Sequence, residues 1–300
     1  GLQGPELEFS PLWERLVGDR PGQEEIDIPD LTIAVELDKM WVEQQRFMSD
    51  VSGTFVHKRG IWRTALLDAK LNGGPLLNVN MAPDEQGNRI LTVKADNAGD
   101  TLRFFDLFEN MHGGKLELRG RYDDAAPLRP LRGKLRVVNY RVRNAPLLTR
   151  VLSIMALTGI VDALTGEGLN FSELDVPFTH TEGEIQVADA KATGTSIGFT
   201  ASGTVYTHAD VLNLEGTVVP AYAINSVLGK IPLLGNILAG TEDGGGVFAA
   251  NFSVTGPTED PNTTVNPLSA LTPGILRNLF GAFAPEKPQH PLIAPGPVVQ

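Results

Sequence analysis

Gly194-Thr-Ser-Ile-Gly198 has the G-x-S-x-G spacing that seats a nucleophilic serine on a strand-to-helix elbow in hydrolases. Such an elbow needs a helix after the serine. Here Phe199-Thr-Ala-Ser-Gly-Thr-Val-Tyr206 reads on as a strand, so Ser196 is expected in a turn, and a hydrolase is the weakest of the functional readings. His57, His112, His180, His208 and His290 are scattered, and none falls at a metal-ligand spacing such as H-x-x-x-H. The carboxylate pairs Glu24-Glu25, Asp123-Asp124 and Glu242-Asp243 all sit in turn-like sequence. Thr241-Glu-Asp-Gly-Gly-Gly246 lacks the alternating ligands of a calcium loop. Asn170-Phe-Ser, Asn251-Phe-Ser and Asn262-Thr-Thr match the glycosylation acceptor, a pattern with weight only in a eukaryotic secretory setting. No catalytic residue, no metal site and no cofactor is read from the chain.

Bulk composition narrows the class further. The chain has no cysteine, which removes disulfides, thiolate metal sites and cysteine nucleophiles. A net charge of −11 argues against nucleic acid, which needs a basic footprint, and against attraction to anionic lipid by charge alone. With 42% hydrophobic and 20% charged residues the composition is globular, and 300 residues of β structure can form one continuous unit. Gly1–Leu12 carries no export signal and no initiating Met, so the address of an exported protein is expected upstream and the chain reads as a fragment.

The elements that must position any site are mostly strands. Residues 1–29 are acidic and broken by Pro and Gly, with a short helix expected on Leu12, Trp13 and Leu16; they read as the tail of a preceding segment. From Asp30 the period becomes two: Leu31, Ile33, Val35 and Leu37 alternate with polar or small residues, the mark of one dry and one wet face. Leu77, Val79 and Met81 repeat the pattern, as do Leu91 and Val93, Leu116 and Leu118, and Leu212 and Leu214. Further strands are expected over 53–57, 62–71, 183–188, 197–206, 211–218 and 246–256. Within Gly133–Arg143 the apolar phase changes from Leu135 and Val137 to Val138, Tyr140 and Val142, which predicts a bulge. Helices are too few for βαβ crossovers, so the fold class is mainly β: an elongated, twisted antiparallel sheet forming an open apolar groove.

Helices are expected at 98–111, 146–164, 221–239 and 275–283. The first is amphipathic, with Leu102, Phe105, Phe108 and Met111 on one face, Asp96 or Asn97 at its start and Gly113-Gly114 at its end. The second, with Leu152 and Met155, has almost no polar face, so it is buried or against lipid. The third is a pair of short apolar pieces broken at Gly229, Pro232 and Gly235, too interrupted for a spanning helix. The three greasiest segments all follow Ala145. Residues 284–300 are proline-rich and expected to be disordered.

Several stretches occur in an order that carries a resemblance. They are Asp96-Asn-Ala-Gly-Asp-Thr-Leu102, Asn110-Met-His-Gly-Gly-Lys-Leu-Glu-Leu118, Ala145-Pro-Leu-Leu-Thr-Arg-Val-Leu-Ser153 and Gly166-Glu-Gly-Leu-Asn-Phe171. Gly216-Thr-Val-Val-Pro-Ala-Tyr-Ala-Ile-Asn225, Ile231-Pro-Leu-Leu-Gly235 and Val265-Asn-Pro-Leu-Ser-Ala-Leu-Thr-Pro-Gly274 follow. The series resembles the C-terminal region of the AsmA-like envelope proteins of Gram-negative bacteria, the YhdP branch in particular, over 31–283. The resemblance implies a β-groove with an apolar interior, anchored upstream in the inner membrane and crossing the periplasm. It also implies phospholipid movement toward the outer membrane and a part in the barrier function of that membrane, with no catalytic residues.

On that reading the groove of 30–283 takes phospholipid acyl chains, and its ends meet inner or outer membrane surface and envelope proteins. Lipid contact is then expected at Leu31, Ile33, Val35 and Leu37, at Leu77, Val79 and Met81, and at Leu116, Leu118, Leu212 and Leu214. The end helices would add Leu152 and Met155, and Ile224, Leu228, Leu233, Leu234 and Ile237. Two alternatives stay open: the same apolar faces would build an ordinary core, or the protein is a scaffold for outer-membrane protein assembly that uses strand edges.

Overall fold

The computed structural model describes residues 1–10, 28–155, 157–220 and 249–266. Fourteen strands form a single open, twisted sheet in strict chain order. They are β1 (Leu2–Glu8), β2 (Leu31–Glu43), β3 (Arg46–Lys58), β4 (Ile61–Leu71), β5 (Leu76–Pro83), β6 (Arg89–Ala95) and β7 (Met111–Tyr122). Then come β8 (Leu131–Val142), β9 (Leu169–Thr181), β10 (Glu184–Gly194), β11 (Ile197–Tyr206), β12 (Val211–Pro220), β13 (Ala250–Pro257) and β14 (Asn262–Asn266). Every ladder from β2 to β14 is antiparallel, whereas β1 runs parallel to β2, pairing Leu2 with Val35 and Leu7 with Met40. The sheet is therefore mixed, and the expected tail before Asp30 contributes its first strand. Period-two patterning explains the strands, and turn chemistry explains their joins. Arg59 and Gly60, both at positive φ (55° and 73°), close the Lys58–Ile61 pair as a two-residue hairpin whose twist matches its strands.

The phase change expected in β8 is present, but Val138 does not join Tyr140 and Val142: it stands in a row with Lys115 and Glu173 on the polar side. Leu131, Val137, Tyr140 and Val142 are buried, and the switch between 137 and 140 falls at Asn139, whose φ is +55°. It is shared by its neighbours: Gly113 and Gly114 have positive φ in β7, and β9 switches from Phe171 to Leu174 across Ser172. One transverse line of bulges thus crosses three strands, so the ladders β7–β8 and β8–β9 stay in register while all three strands change phase together. β10 has its own bulge at Asp189 (φ 53°), between Val187 and Ala190. That bulge lies opposite Pro177 of β9, a residue with no N–H to give to a ladder.

Three helices gather at one end of the sheet. α1 (Ala98–Phe104) begins at Asn97, whose Oδ1 accepts from Asp100 N at 3.1 Å. It stops at Phe104, seven residues before the expected end at Met111, which is instead the first residue of β7. The stop is a Schellman motif: Asp106 takes φ +53°, Leu107 N donates to Leu102 O and Asp106 N to Arg103 O. Arg46 of β3 donates to Phe104 O at 2.7 Å, filling a terminal carbonyl that the helix leaves open.

The expected helix over 146–164 is two, α2 (Pro146–Ile154) and α3 (Thr158–Thr165). Leu157 N turns back to Leu152 O and ends α2, and the bend lets both helices face the sheet end, with Leu152 and Leu164 fully buried. The expected helices at 221–239 and 275–283, the helix on Leu12, Trp13 and Leu16, and the tail 284–300 lie outside the described residues.

Candidate functional site

The register sorts the side chains into transverse rows. On one face Glu36, Asp68, Lys94, Glu117, Arg136 and Lys191 belong to one row that runs unbroken from β2 to β14. Charges of opposite sign meet across it and its neighbours: Lys134–Asp175 at 2.6 Å, Arg136–Glu173 at 2.7 Å and Lys94–Glu117 at 3.9 Å. Each exposed pair contributes little to stability, but together they favour one register and keep this face wet.

The opposite face is apolar in register. Leu67, Val79, Val93, Leu118 and Leu135 stand side by side on five consecutive strands. The next row towards the helices holds Leu77, Leu116, Val137, Leu174, Phe199 and Val218. The row on the other side holds Ile33, Phe55, Met81, Leu91, Phe178 and Leu214. Glycines interrupt this last row where strands come close. A Cβ on Gly133 would lie 2.5 Å from the Arg119 carbonyl and 3.0 Å from the ring of Phe178, which fills the gap instead. Among the described residues every strand belongs to this sheet, so no second sheet covers the face.

Burial along the face is uneven. Leu37, Leu77 and Leu116 are buried near the helices, and Leu152 and Met155 lie inside the helix-covered core at 0% and 2% exposure. Leu31, Ile33, Val35, Val79, Leu118, Leu212 and Leu214 are partly exposed along the body of the face, while Met81 is buried there. Register thus brings the strand candidates onto one surface, and the helix candidates Leu152 and Met155 belong to its capped end. Ile224, Leu228, Leu233, Leu234 and Ile237 lie outside the described residues.

At the end of the sheet away from the helices one ion pair is enclosed. Arg89 of β6 donates to Asp124 through Nη2 at 2.7 Å and Nε at 2.9 Å, with the two side chains 8% and 13% exposed. Its guanidinium also lies 3.9 Å from the Tyr122 ring centroid and donates to Trp62 O. Burial pushes the Asp124 carboxyl up, but the hydrogen bonds and charge of Arg89 outweigh it and hold the group below its ordinary value. Burial pushes the hydroxyls of Tyr122 and Tyr140 up. In the sequence Asp124 belongs to a carboxylate pair in a turn and Arg89 carries no signal, because nothing local marks two residues 35 apart as partners.

Residues with chemical potential do not converge. Ser196 is exposed in the two-residue turn between β10 and β11 and is followed by a strand, so no nucleophile elbow forms there. His57 is buried, its Nδ1 3.1 Å from Pro29 O and its ring edge-on to Trp62. No group of three His, Cys, Asp or Glu side chains is placed to hold a metal ion among the described residues. None of the described helices is long and apolar enough to cross a membrane. Two depressions, of about 440 and 500 Å³, open beside the polar rows, one around Lys94, Glu117 and Arg136 and one over the bulge line at Asn139 and Arg141. No protein-family model, curated protein or solved structure matches the chain.

Proposed function

We propose that this chain is a non-enzymatic lipid conduit of the AsmA-like type, binding or moving phospholipid across the periplasm of a Gram-negative envelope and so supporting the outer-membrane barrier. The observation that carries the reading is the set of in-register apolar rows on one face of a single 14-stranded sheet that no second sheet covers among the described residues. At about 4.8 Å between strands, the row from Ile33 on β2 to Leu214 on β12 runs about 50 Å along the ladder, enough for acyl chains laid across the strands. Each methylene removed from water contributes about 0.8 kcal/mol, spread along the rows rather than concentrated in one well. A lipid held this way slides without climbing out of a deep minimum. The helix-covered end then serves as a plug, and the charged opposite face stays in water.

Mass spectrometry of protein extracted gently from membranes tests this. Phospholipid in stoichiometric amount is expected, and an empty protein under those conditions contradicts the reading. One observation favours a second reading, a scaffold for outer-membrane protein assembly. β1 ends the sheet, and its outer edge pairs with no other strand among the described residues, an edge open to strand addition. Crosslinks from β1 to barrel proteins, with none to lipid, would select the scaffold.

A further inference from the structure

The polar side of the bulge line has a feature that neither the ion-pair rows nor the apolar face explains. Directly paired residues His112 of β7, Arg141 of β8 and Asn170 of β9 lie on it in one exposed row. Asn139 and Ser172, turned outward by the phase switch, line a depression of about 500 Å³ with Thr195 of the next hairpin and with Gly113, Tyr140 and Phe171. Elsewhere on this face Lys94, Lys134, Arg136 and Lys191 each meet a carboxylate. Arg141, like Lys115, meets none among the described residues, and no Asp or Glu lines the depression around Arg141, in a chain of net charge −11.

Arg141 is nevertheless held in place. Its Nε donates to Asn170 Oδ1 at 3.0 Å, and its stem lies on Gly168, where a Cβ would come within 2.9 Å of both Cγ and Cδ. Gly168 has φ +93°, so a side chain there is strained on both counts. This arrangement fixes the plane of the guanidinium and leaves Nη1 and Nη2 without partners among the described residues, a two-pronged donor matched to an oxyanion. With Asn170 Oδ1 engaged, the Asn170 side chain has its amide N–H groups left to donate, and Asn139 and Thr195 bring further donors to the lining of the same depression.

We infer that this depression is a binding site for a phosphate-type oxyanion, free or carried by a lipid headgroup, with Arg141 as its fork. It lies on the face opposite the apolar rows and does not depend on acyl chains binding there.

Titration of the whole chain with inorganic phosphate, followed by amide and side-chain NMR shifts, tests the site. Saturable shifts centred on Asn139, Asn170 and Thr195 at about millimolar phosphate are expected, weakened about tenfold or more in Arg141→Gln and less in Arg141→Lys, which keeps the charge but not the fork. Arg119→Gln, an exposed cation of the same face, should bind as the unaltered protein does. A parallel arm uses vesicles of phosphatidylglycerol. Arg141-dependent binding to vesicles without binding of inorganic phosphate identifies a lipid-borne phosphate, and Arg141-dependent binding of inorganic phosphate identifies a free one. No response in either arm, or a response that Arg141→Gln leaves unchanged while circular dichroism shows an intact fold, overturns the site.

Discussion

Leu77 and Val79 are two residues apart on one strand and point to one face, yet Leu77 is 2% exposed and Val79 remains partly open to water. The same contrast holds between Leu116 and Leu118. What differs is the cover: α1, α2 and α3 close one end of the sheet, and among the described residues no second sheet lies over the body. The helix-covered end is an ordinary core, accounted for by folding. The body repeats core-type side chains across its strands and leaves Val79 and Leu118 partly exposed, and the proposed lipid contact rests on that difference.

Substitutions separate the two regions by their energetic signatures. The largest effect is expected at the covered end, where Leu152→Ala leaves a cavity around a fully buried side chain and costs about 2–5 kcal/mol in urea denaturation. Arg89→Met follows, at about 3 kcal/mol, because Asp124 is left enclosed without its partner. Leu118→Ala in the body should cost only about 1 kcal/mol, since its side chain already keeps some contact with water. If Leu118→Ala costs as much as Leu152→Ala, the body is a core too and the contrast collapses. Arg150→Ala, which removes the exposed link from α2 to Asp260 and Pro261, should cost less than about 1 kcal/mol.

Acid titration sharpens the picture at the end of the sheet away from the helices. Asp124 is held below its ordinary value, so its contribution is complete above about pH 4, the carboxylate value in unfolded chains, and is lost as pH falls through its folded value. Unfolding of Asp124→Asn should therefore depend less steeply on pH below about pH 4 than that of the unaltered chain. Equal slopes would mean that Arg89 does not stabilise the ionised carboxyl.

Much of this architecture is legible in local pattern. Leu31 to Leu37 announce β2 by alternation, and the phase change in Gly133–Arg143 foretells the bulge that the structure places at Asn139. What local pattern hides is set by partners. β9 carries Pro177 and changes phase at Ser172, so it shows no clean alternation, and only the matching irregularities in β8 and β10 make it a strand. β1, acidic and proline-containing, is extended because β2 offers it an edge. The end of α1 depends on Asp106 adopting φ +53° and on Arg46, 58 residues earlier, reaching Phe104 O. The candidate face was legible as apolar positions on separate strands. Their assembly into rows was not, because register is a relation between strands.

Photocrosslinking in intact envelopes tests the central claim most directly, with one probe at a time at Val79, at Leu118, at Arg119 on the opposite face and at Leu152 in the covered end. Phospholipid adducts are expected at Val79 and Leu118 and not at Arg119 or Leu152. Adducts of equal yield on both faces, or none at Val79 and Leu118, would contradict a lipid-bearing face.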